Sequence, residues 1–245
     1  MLAARGEEEG GAFMMSDRQV RDELMTVLVA GQETSAIALA WCVALLAHHP
    51  AAGSAAAAAV DGLLGPPGAA RAPAPADVGR LPYLEAVLLE ALRLLPPAYI
   101  VGRCAAAGAG AFGPAGRFSL PPGTTALVSP WLLHRAPSAW DRPREFWPER
   151  WLPLLEEGPP SPGPGGLRCG PALAGLGPNG AFCPFGAGPR VCIGASFAMM
   201  EGVLVLAAAV SAVRFEPAER GAAFPMAAAR ITLRPESVRV RLVQR

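Results

Sequence analysis

A ten-residue stretch in the last third of the chain carries residue types that could do chemistry. It reads Phe185-Gly-Ala-Gly-Pro-Arg-Val-Cys-Ile-Gly194. A helix is predicted to follow from about Ile193, and a helix N-terminus favours negative charge, so Cys192 is biased toward the thiolate. A thiolate at this place is suited to act as a metal ligand or as a nucleophile.

The residues around Cys192 suit a flat ligand with an anionic edge. Phe185 supplies an apolar cover for the sulfur, and Arg190 is placed to reach an anionic group. Glycines remove side chains where a backbone approaches a ligand closely; they are Gly186, Gly188 and Gly194. A lone cysteine in a glycine-rich loop is more often an inert thiol, but six suitable residues in ten favour a binding loop.

A polar string interrupts the longest apolar segment of the chain. Residues Asp17 to about His49 read as one helix, mostly apolar after Leu24, and the string Ala30-Gly-Gln-Glu-Thr-Ser35 lies in its middle. Because so apolar a helix should cross a protein interior, unpartnered polar groups there would be costly. The string is either a Ser/Thr kink in a core helix or part of a site.

A third pattern pairs Glu90 with Arg93. The i, i+3 spacing puts both side chains on one face of a predicted helix. On its own such a pair is an ordinary surface ion pair that contributes roughly 0–1 kcal/mol.

Together these motifs resemble the cytochrome P450 family, the haem-thiolate monooxygenases. The resemblance implies that Cys192 is the axial ligand of haem iron, where a thiolate favours O–O cleavage. It places Ala30 and Gly31 beside the oxygen-binding face, and it makes Glu33 and Thr34 the acid and alcohol that deliver protons.

The resemblance also assigns residues outside the two main motifs. Glu90 and Arg93, joined by Arg150 of the segment Pro148-Glu-Arg-Trp151, form a buried scaffold that holds the cysteine loop. Arg103 and Arg190 bind the haem propionates, although Arg103 could equally be a solvated residue at a strand end. His134 is expected to be a structural histidine.

The fold class that follows is mainly α with small β-sheets. It is a partial cytochrome P450 fold, with a long central oxygen-side helix, the Glu90–Arg93 helix, an irregular meander, the cysteine-ligand loop and a following helix. Residues 1–15 should be a flexible segment, and 16–245 the C-terminal haem-binding part of the domain.

The sequence pattern also predicts the remaining secondary structure. Further helices are predicted at 55–64, 81–95 and 193–213, with a helical turn at 131–134 and a loop over 152–180. Strands are predicted at 100–104, 117–120, 124–129, 213–215, 230–233 and 238–242.

Composition excludes several other classes of protein. The 245 residues are 52% hydrophobic with a net charge of +1, so we expect a folded chain and no nucleic-acid partner. No apolar run is long enough to predict a membrane span, and the N-terminus does not read as a secretory signal. An odd number of cysteines favours a reduced, intracellular compartment. Cys169, Cys183, Cys192 and His134 lack the spacing of a structural zinc site.

The resemblance implies a monooxygenase that inserts one oxygen atom from O2 into an apolar substrate. Haem b is the implied cofactor, with electrons from NAD(P)H through a separate ferredoxin or flavoprotein reductase. The alternatives are an isomerase-type member of the same fold and a truncated, non-catalytic haem-binding remnant. Since the N-terminal half of the family fold is not in these residues, we expect an open pocket and little activity from this chain alone.

The substrate is predicted only by a finer resemblance. Residues 21–35 and the chain end, 230–245, are similar to the branch that hydroxylates carotenoid rings in plastids, although Gln32 stands where that branch usually has His. A carotenoid is therefore the first expectation and a fatty acid the second. A plastid or a membrane-associated location follows from the substrate.

Overall fold

The computed structural model describes residues 15–108, 110–111, 113, 116–156, 177 and 180–245. The described chain is mainly helical with small two-stranded sheets, which confirms the predicted fold class. The helices are α1 (Asp17–His48), α2 (Pro50–Leu64), α3 (Pro82–Leu94), α4 (Pro130–Leu133), α5 (Leu152–Glu156) and α6 (Ala195–Ala212). The strands are β1 (Val101–Cys104), β2 (Thr125–Val128), β3 (Val213–Pro217), β4 (Ala227–Ala229), β5 (Leu233–Pro235) and β6 (Val240–Gln244). Cys169, most of the predicted 152–180 loop and residues 1–14 of the predicted flexible segment lie outside the described residues.

Helix α1 begins at a capping box. The Gln19 backbone N–H donates to the Ser16 hydroxyl, and the Ser16 N–H donates to the Gln19 side chain at 2.8 Å. These bonds satisfy amide groups that a helix start leaves without partners. Pro50 ends α1 and is the first residue of α2, where its missing N–H costs nothing.

Apart from Val20, the buried residues of α1 lie in its second half, which corrects the expectation of a helix buried along its length. Residues 21–32 are all exposed, and Leu28 keeps 61% of its accessible surface. The core begins at Ile37 and includes Trp41, which is fully buried. The reason is that the elements packed against α1 cover its C-terminal half, where its buried residues cluster.

Helix α3 is the centre of the core. Every residue from Tyr83 to Leu94 is buried, including three charged ones, Glu85, Glu90 and Arg93. Helix α6 packs against it so closely that a Cβ on Gly202 would lie 2.6 Å from Cδ2 of Leu88. The α3–α6 contact therefore requires glycine at position 202.

The small sheets are antiparallel pairs: β1 with β2, β3 with β6, and β4 with β5. Two predicted strands are wrong. Residues 117–120 contain only a single bridge at Phe118, and 230–233 lie mainly in the turn between β4 and β5. Both segments are short, and so their apolar pattern does not distinguish a strand from a turn.

Helices α1 and α6 are long and apolar enough to cross a membrane by length and composition. The expectation that no stretch reaches this length is therefore wrong. A core helix meets the same criterion, and both helices contribute residues to the core of this fold.

Candidate functional site

The Glu90 carboxylate is the centre of a fully buried polar network. Arg93 donates to it twice, from Nε at 2.8 Å and from Nη2 at 2.8 Å, and neither side chain has any accessible surface. Arg150 donates to the Glu90 carboxylate from Nε at 3.1 Å, and the Trp151 indole N–H donates to it at 2.9 Å. The backbone N–H of Trp147 gives the fifth, at 3.0 Å.

The remaining N–H groups of Arg93 donate to backbone carbonyls of the irregular segment between α4 and α5. Nη1 donates to His134 at 2.8 Å and to Pro143 at 2.7 Å, and Nη2 donates to Glu145 at 3.0 Å. The guanidinium also lies 5.2 Å from the centre of the Trp140 ring. One side chain thus fixes three points of an otherwise irregular segment, and the Glu90–Arg93 pair is not a surface ion pair.

His134 connects this network to the cysteine loop. Its ring is fully buried, and Nε2 accepts the backbone N–H of Cys183 at 2.9 Å. Burial, with a smaller contribution from the positive charges of Arg93 and Arg135, lowers the pKa of His134 to about 4. Since Nε2 accepts, the neutral ring carries its proton on Nδ1. The ring is uncharged at neutral pH and holds the loop by a hydrogen bond.

The loop itself begins at Phe182, which is fully buried. Its ring packs 4.7 Å from Trp151 and 5.1 Å from His134. The Cys183 carbonyl then accepts the Gly186 N–H at 3.0 Å, which closes a turn in which Gly186 adopts a φ of 74°. This left-handed conformation is one that glycine adopts without strain.

Cys192 stands at the end of the loop with its thiol exposed. Its N–H donates to the Phe185 carbonyl at 2.9 Å, and its own carbonyl accepts the Ala195 N–H at 3.4 Å. The helix begins at Ala195, two residues later than predicted, with Gly194 as its N-cap. A Cβ on Gly194 would lie 3.8 Å from the Cys192 sulfur, so the thiol lies beside the first turn of α6.

Among the described residues, the other predicted loop residues make no side-chain hydrogen bond or ion pair with Cys192. Phe185 is partly buried and packs against the core. Gly188 and Arg190 form a short 3-10 turn and are exposed. Added Cβ atoms at Gly186 and Gly188 would meet nothing within 4 Å, so there is open space along this side of the loop.

The oxygen-side residues lie where α1 passes from exposed to buried. Ala30 and Gly31 are exposed, and Glu33 and Thr34 are half-buried. The Thr34 hydroxyl donates to the Ala30 carbonyl at 2.7 Å. Glu33 accepts a hydrogen bond from Thr232, in the turn between β4 and β5, at 3.0 Å.

Arg103 lies in β1 and is exposed, and its guanidinium donates to the Gly102 carbonyl at 2.8 Å. Among the described residues, no hydrogen bond or ion pair joins Arg103 or Arg190 to Cys192. The structure therefore brings Glu90, Arg93 and Arg150 together. The two predicted propionate ligands, Arg103 and Arg190, are exposed and are not part of this network.

Several residues of the site escape sequence reasoning. Trp147, Trp151 and the backbone of Cys183 bind the network or its histidine, and Thr232 binds Glu33. The sequence gives one indication of Trp151, because this residue directly follows Arg150, which is predicted to join the network. For Thr232 the sequence gives none, because 199 positions separate it from its partner.

One further cavity lies away from Cys192. A cleft of about 730 Å³ lies between α2, the end of α6 and β3, and it contains none of the predicted site residues. Within the part of the chain that the structure describes, no three His, Cys, Asp or Glu side chains cluster as a metal site.

The residues around Cys192 fit an iron porphyrin. An exposed thiol supplies a soft donor of the kind that iron accepts. Open space at Gly186 and Gly188 leaves room for a flat ring, and the exposed guanidinium group of Arg190, two residues before Cys192, matches an anionic substituent.

Comparison with known proteins identifies the fold. The cytochrome P450 family model matches residues 1–241, and the chain belongs to the cytochrome P450 family. A solved zebra fish cytochrome P450 structure with abiraterone superposes with a TM-score of 0.76 at 30% identity, over 98% of this chain and 50% of that chain.

Two curated relatives show the range of the similarity. Cyclooctatin synthase of Streptomyces melanosporofaciens is 40% identical over 89% of this chain and 41% of its own length. The chloroplastic protein LUTEIN DEFICIENT 5 of Arabidopsis thaliana is 34% identical over 82% of this chain and 30% of its own length. The chain thus spans less than half the length of these relatives.

Proposed function

We propose that this chain is the haem-binding part, residues 16–245, of a haem-thiolate monooxygenase. The observation that carries the proposal is the exposed Cys192 thiol, on a glycine loop tied through His134 to the buried Glu90 network. The net reaction adds one atom of O2 to a C–H bond and reduces the other to water with two electrons and two protons. Haem b bound at Cys192 supplies the oxidising chemistry.

The chain's own residues hold the cofactor and move protons. Cys192 binds the iron, with Phe185 packed beside the loop to limit the access of water to the sulfur. Arg103 and Arg190 bind the propionates by charge-assisted hydrogen bonds. The Glu33 carboxylate takes up protons from water, and the Thr34 hydroxyl passes them on or orients the water that carries them.

Electrons come from outside the chain, because its sequence holds no flavin or iron–sulfur motif. We propose a ferredoxin or a flavoprotein reductase that draws on NAD(P)H. The acid–alcohol pair Glu33–Thr34 favours this monooxygenase over an isomerase-type member of the fold, which needs no protons delivered to O2.

For the substrate we propose a carotenoid, with a fatty acid as the second choice. The similarity to a relative whose name refers to lutein supports a carotenoid and a plastid location. β-Carotene and a fatty acid are each incubated with the haem-loaded chain, ferredoxin, its reductase and NADPH. We expect a hydroxylated carotene, and a hydroxylated fatty acid beside unchanged β-carotene would contradict the carotenoid.

A haem titration of the purified chain tests the site itself. Cys192→Ser is compared with Cys104→Ser, because both cysteines are exposed and only Cys192 is on the loop. We expect the reduced carbon monoxide complex of the wild type and of Cys104→Ser to show the red-shifted Soret band of a thiolate ligand. The Cys192→Ser complex should lose it.

Two results would overturn this assignment. If haem binds and its spectrum is the same in all three proteins, then Cys192 is not the ligand. If the wild-type chain binds no haem, then residues 16–245 are not a haem-binding part and the proposal fails.

A further inference from the structure

Thr232 lies 199 positions from Glu33 in sequence and contacts it directly. Its hydroxyl donates to Oε1 of Glu33 at 3.0 Å, and Thr232 is only 6% exposed. Within the described part of the chain, this is the one hydrogen bond that the Glu33 carboxylate receives. The orientation of Glu33 on α1 therefore depends on the C-terminal part of the chain.

The turn that carries Thr232 is itself fixed to the core. The Leu233 N–H donates to the Pro97 carbonyl at 2.9 Å, and the Leu233 carbonyl accepts the Trp41 indole N–H at 3.0 Å. On the other side of Thr232, the Arg230 carbonyl accepts the Tyr99 hydroxyl at 2.9 Å. Because Leu233 directly after Thr232 and Arg230 two residues before it are both held, the Thr232 hydroxyl has a defined position relative to α1.

Glu33 and Thr34 differ in what holds them. The Thr34 hydroxyl binds a carbonyl of its own helix and would do so in any intact α1. The Glu33 side chain has rotatable bonds that an exposed helix would leave free. Among the hydrogen bonds of the described residues, it is the one from Thr232 that selects an orientation for the Glu33 carboxylate.

We propose that Thr232 is a positioning residue for the acid Glu33. The effect of this positioning on catalysis rests on the proposed function, in which Glu33 delivers protons. Thr232 holds Oε1 and leaves Oε2 to exchange protons with water. When the hydroxyl is lost, the carboxylate samples other orientations, protons arrive late, and reduced oxygen leaves as hydrogen peroxide instead of entering the substrate.

The first experiment is independent of haem. A double-mutant cycle in urea compares Thr232→Val, Glu33→Ala and the double variant of the haem-free chain. We expect the two substitutions to be non-additive by about tenfold in the unfolding equilibrium constant, as for a hydrogen bond to a charged group. Thr26→Val is the control, because its hydroxyl binds the Asp22 carbonyl, and it should be additive with Glu33→Ala.

The second experiment measures product against hydrogen peroxide for each O2 consumed by the haem-loaded chain. We expect Thr232→Val to lower the ratio of product to hydrogen peroxide about three- to tenfold at unchanged haem content, and Thr232→Ser to restore the wild-type ratio. If the cycle shows coupling but this ratio is unchanged, then Thr232 only ties the tail to α1 and the proposal fails. Additive substitutions would also overturn it. A wild-type chain that couples Thr232 to Glu33 but never oxidises a substrate would instead refute the proposed function.

Discussion

At the scale of single residues, the decisive feature is how the buried Glu90 carboxylate is stabilised without water. A carboxylate removed from water is stable only when donors replace the water, and Glu90 has five donors. Two of them come from Arg93 and one from Arg150, so the two guanidinium groups also depend on Glu90. The network is therefore sensitive to the loss of any one partner.

Glu90→Gln should destabilise the chain by about 3–5 kcal/mol, because it leaves two buried or partly buried guanidinium groups without their counter-charge. The measurement is urea unfolding followed by circular dichroism. Asp22→Asn is the control, since Asp22 pairs with Arg18 and Arg21 at the surface, and it should change the free energy of unfolding by no more than about 0.5 kcal/mol. Equal losses in the two variants would contradict the role of burial.

His134 should make the stability of the chain depend on pH. Its pKa is about 4 in the folded protein and about 6.5 when unfolded. Between these values the unfolded chain binds a proton that the folded chain does not, so stability falls as the pH falls from 6.5 to 4. The loss is roughly 3 kcal/mol.

The measurement compares the free energy of unfolding of the wild type and of His134→Gln across this range. Gln keeps an acceptor for the Cys183 N–H but cannot be protonated, so the variant should have the shallower slope. Partial burial and His49 also lower the pKa of His48, and this effect is common to both proteins. Parallel slopes would show that His134 titrates normally.

At the scale of elements, the long helices and four of the strands are predictable from sequence, and the remaining strands are not. Long apolar runs and prolines locate α1, α2, α3 and α6 to within a few residues of their positions, because each run is long enough to show its period. The strands have three to five residues, and their positions depend on which segment pairs with which. Helix burial also escapes prediction, since the exposure of residues 21–32 depends on what packs beside them.

The contact between α3 and α6 gives a prediction at this scale. Gly202→Ala should destabilise the chain by about 1–3 kcal/mol, because the added Cβ would overlap Leu88. Gly62→Ala in α2 is the matched control, since its Cβ would meet nothing within 4 Å, and it should be stabilising by up to about 1 kcal/mol. Thermal unfolding of the two variants measures the difference, and a stabilising Gly202→Ala would contradict the close packing.

At the scale of the whole molecule, the predicted site residues fall into two sets. The spacing of Glu90 and Arg93 places them on one helix face, but spacing alone indicates a surface ion pair, and it is the family resemblance that predicts their buried scaffold with Arg150. Partners that come from distant segments, such as the Trp147 backbone and Thr232, could not be assigned, because the sequence does not show which segments come into contact. The roles of Cys192, Arg103 and Arg190 toward haem stay predictions.

A further prediction concerns activity. The thiol of Cys192 and the guanidinium groups of Arg103 and Arg190 are exposed, and water at such a site weakens electrostatic control and lets reduced oxygen escape. We therefore expect the 245-residue chain to show slow turnover and a high peroxide yield when it is supplied with haem, ferredoxin, its reductase and NADPH. A stable carbon monoxide complex with efficient product formation would contradict this expectation.

The uneven burial of α1 has a consequence for hydration. Glu33 lies at the boundary between the bare residues 21–32 and the core that starts at Ile37. Any surface that covers the bare stretch, whether polypeptide, lipid or a second copy, will border the carboxylate as well. The number of water molecules that reach the acid is then set by that covering surface as much as by the acid's own neighbours.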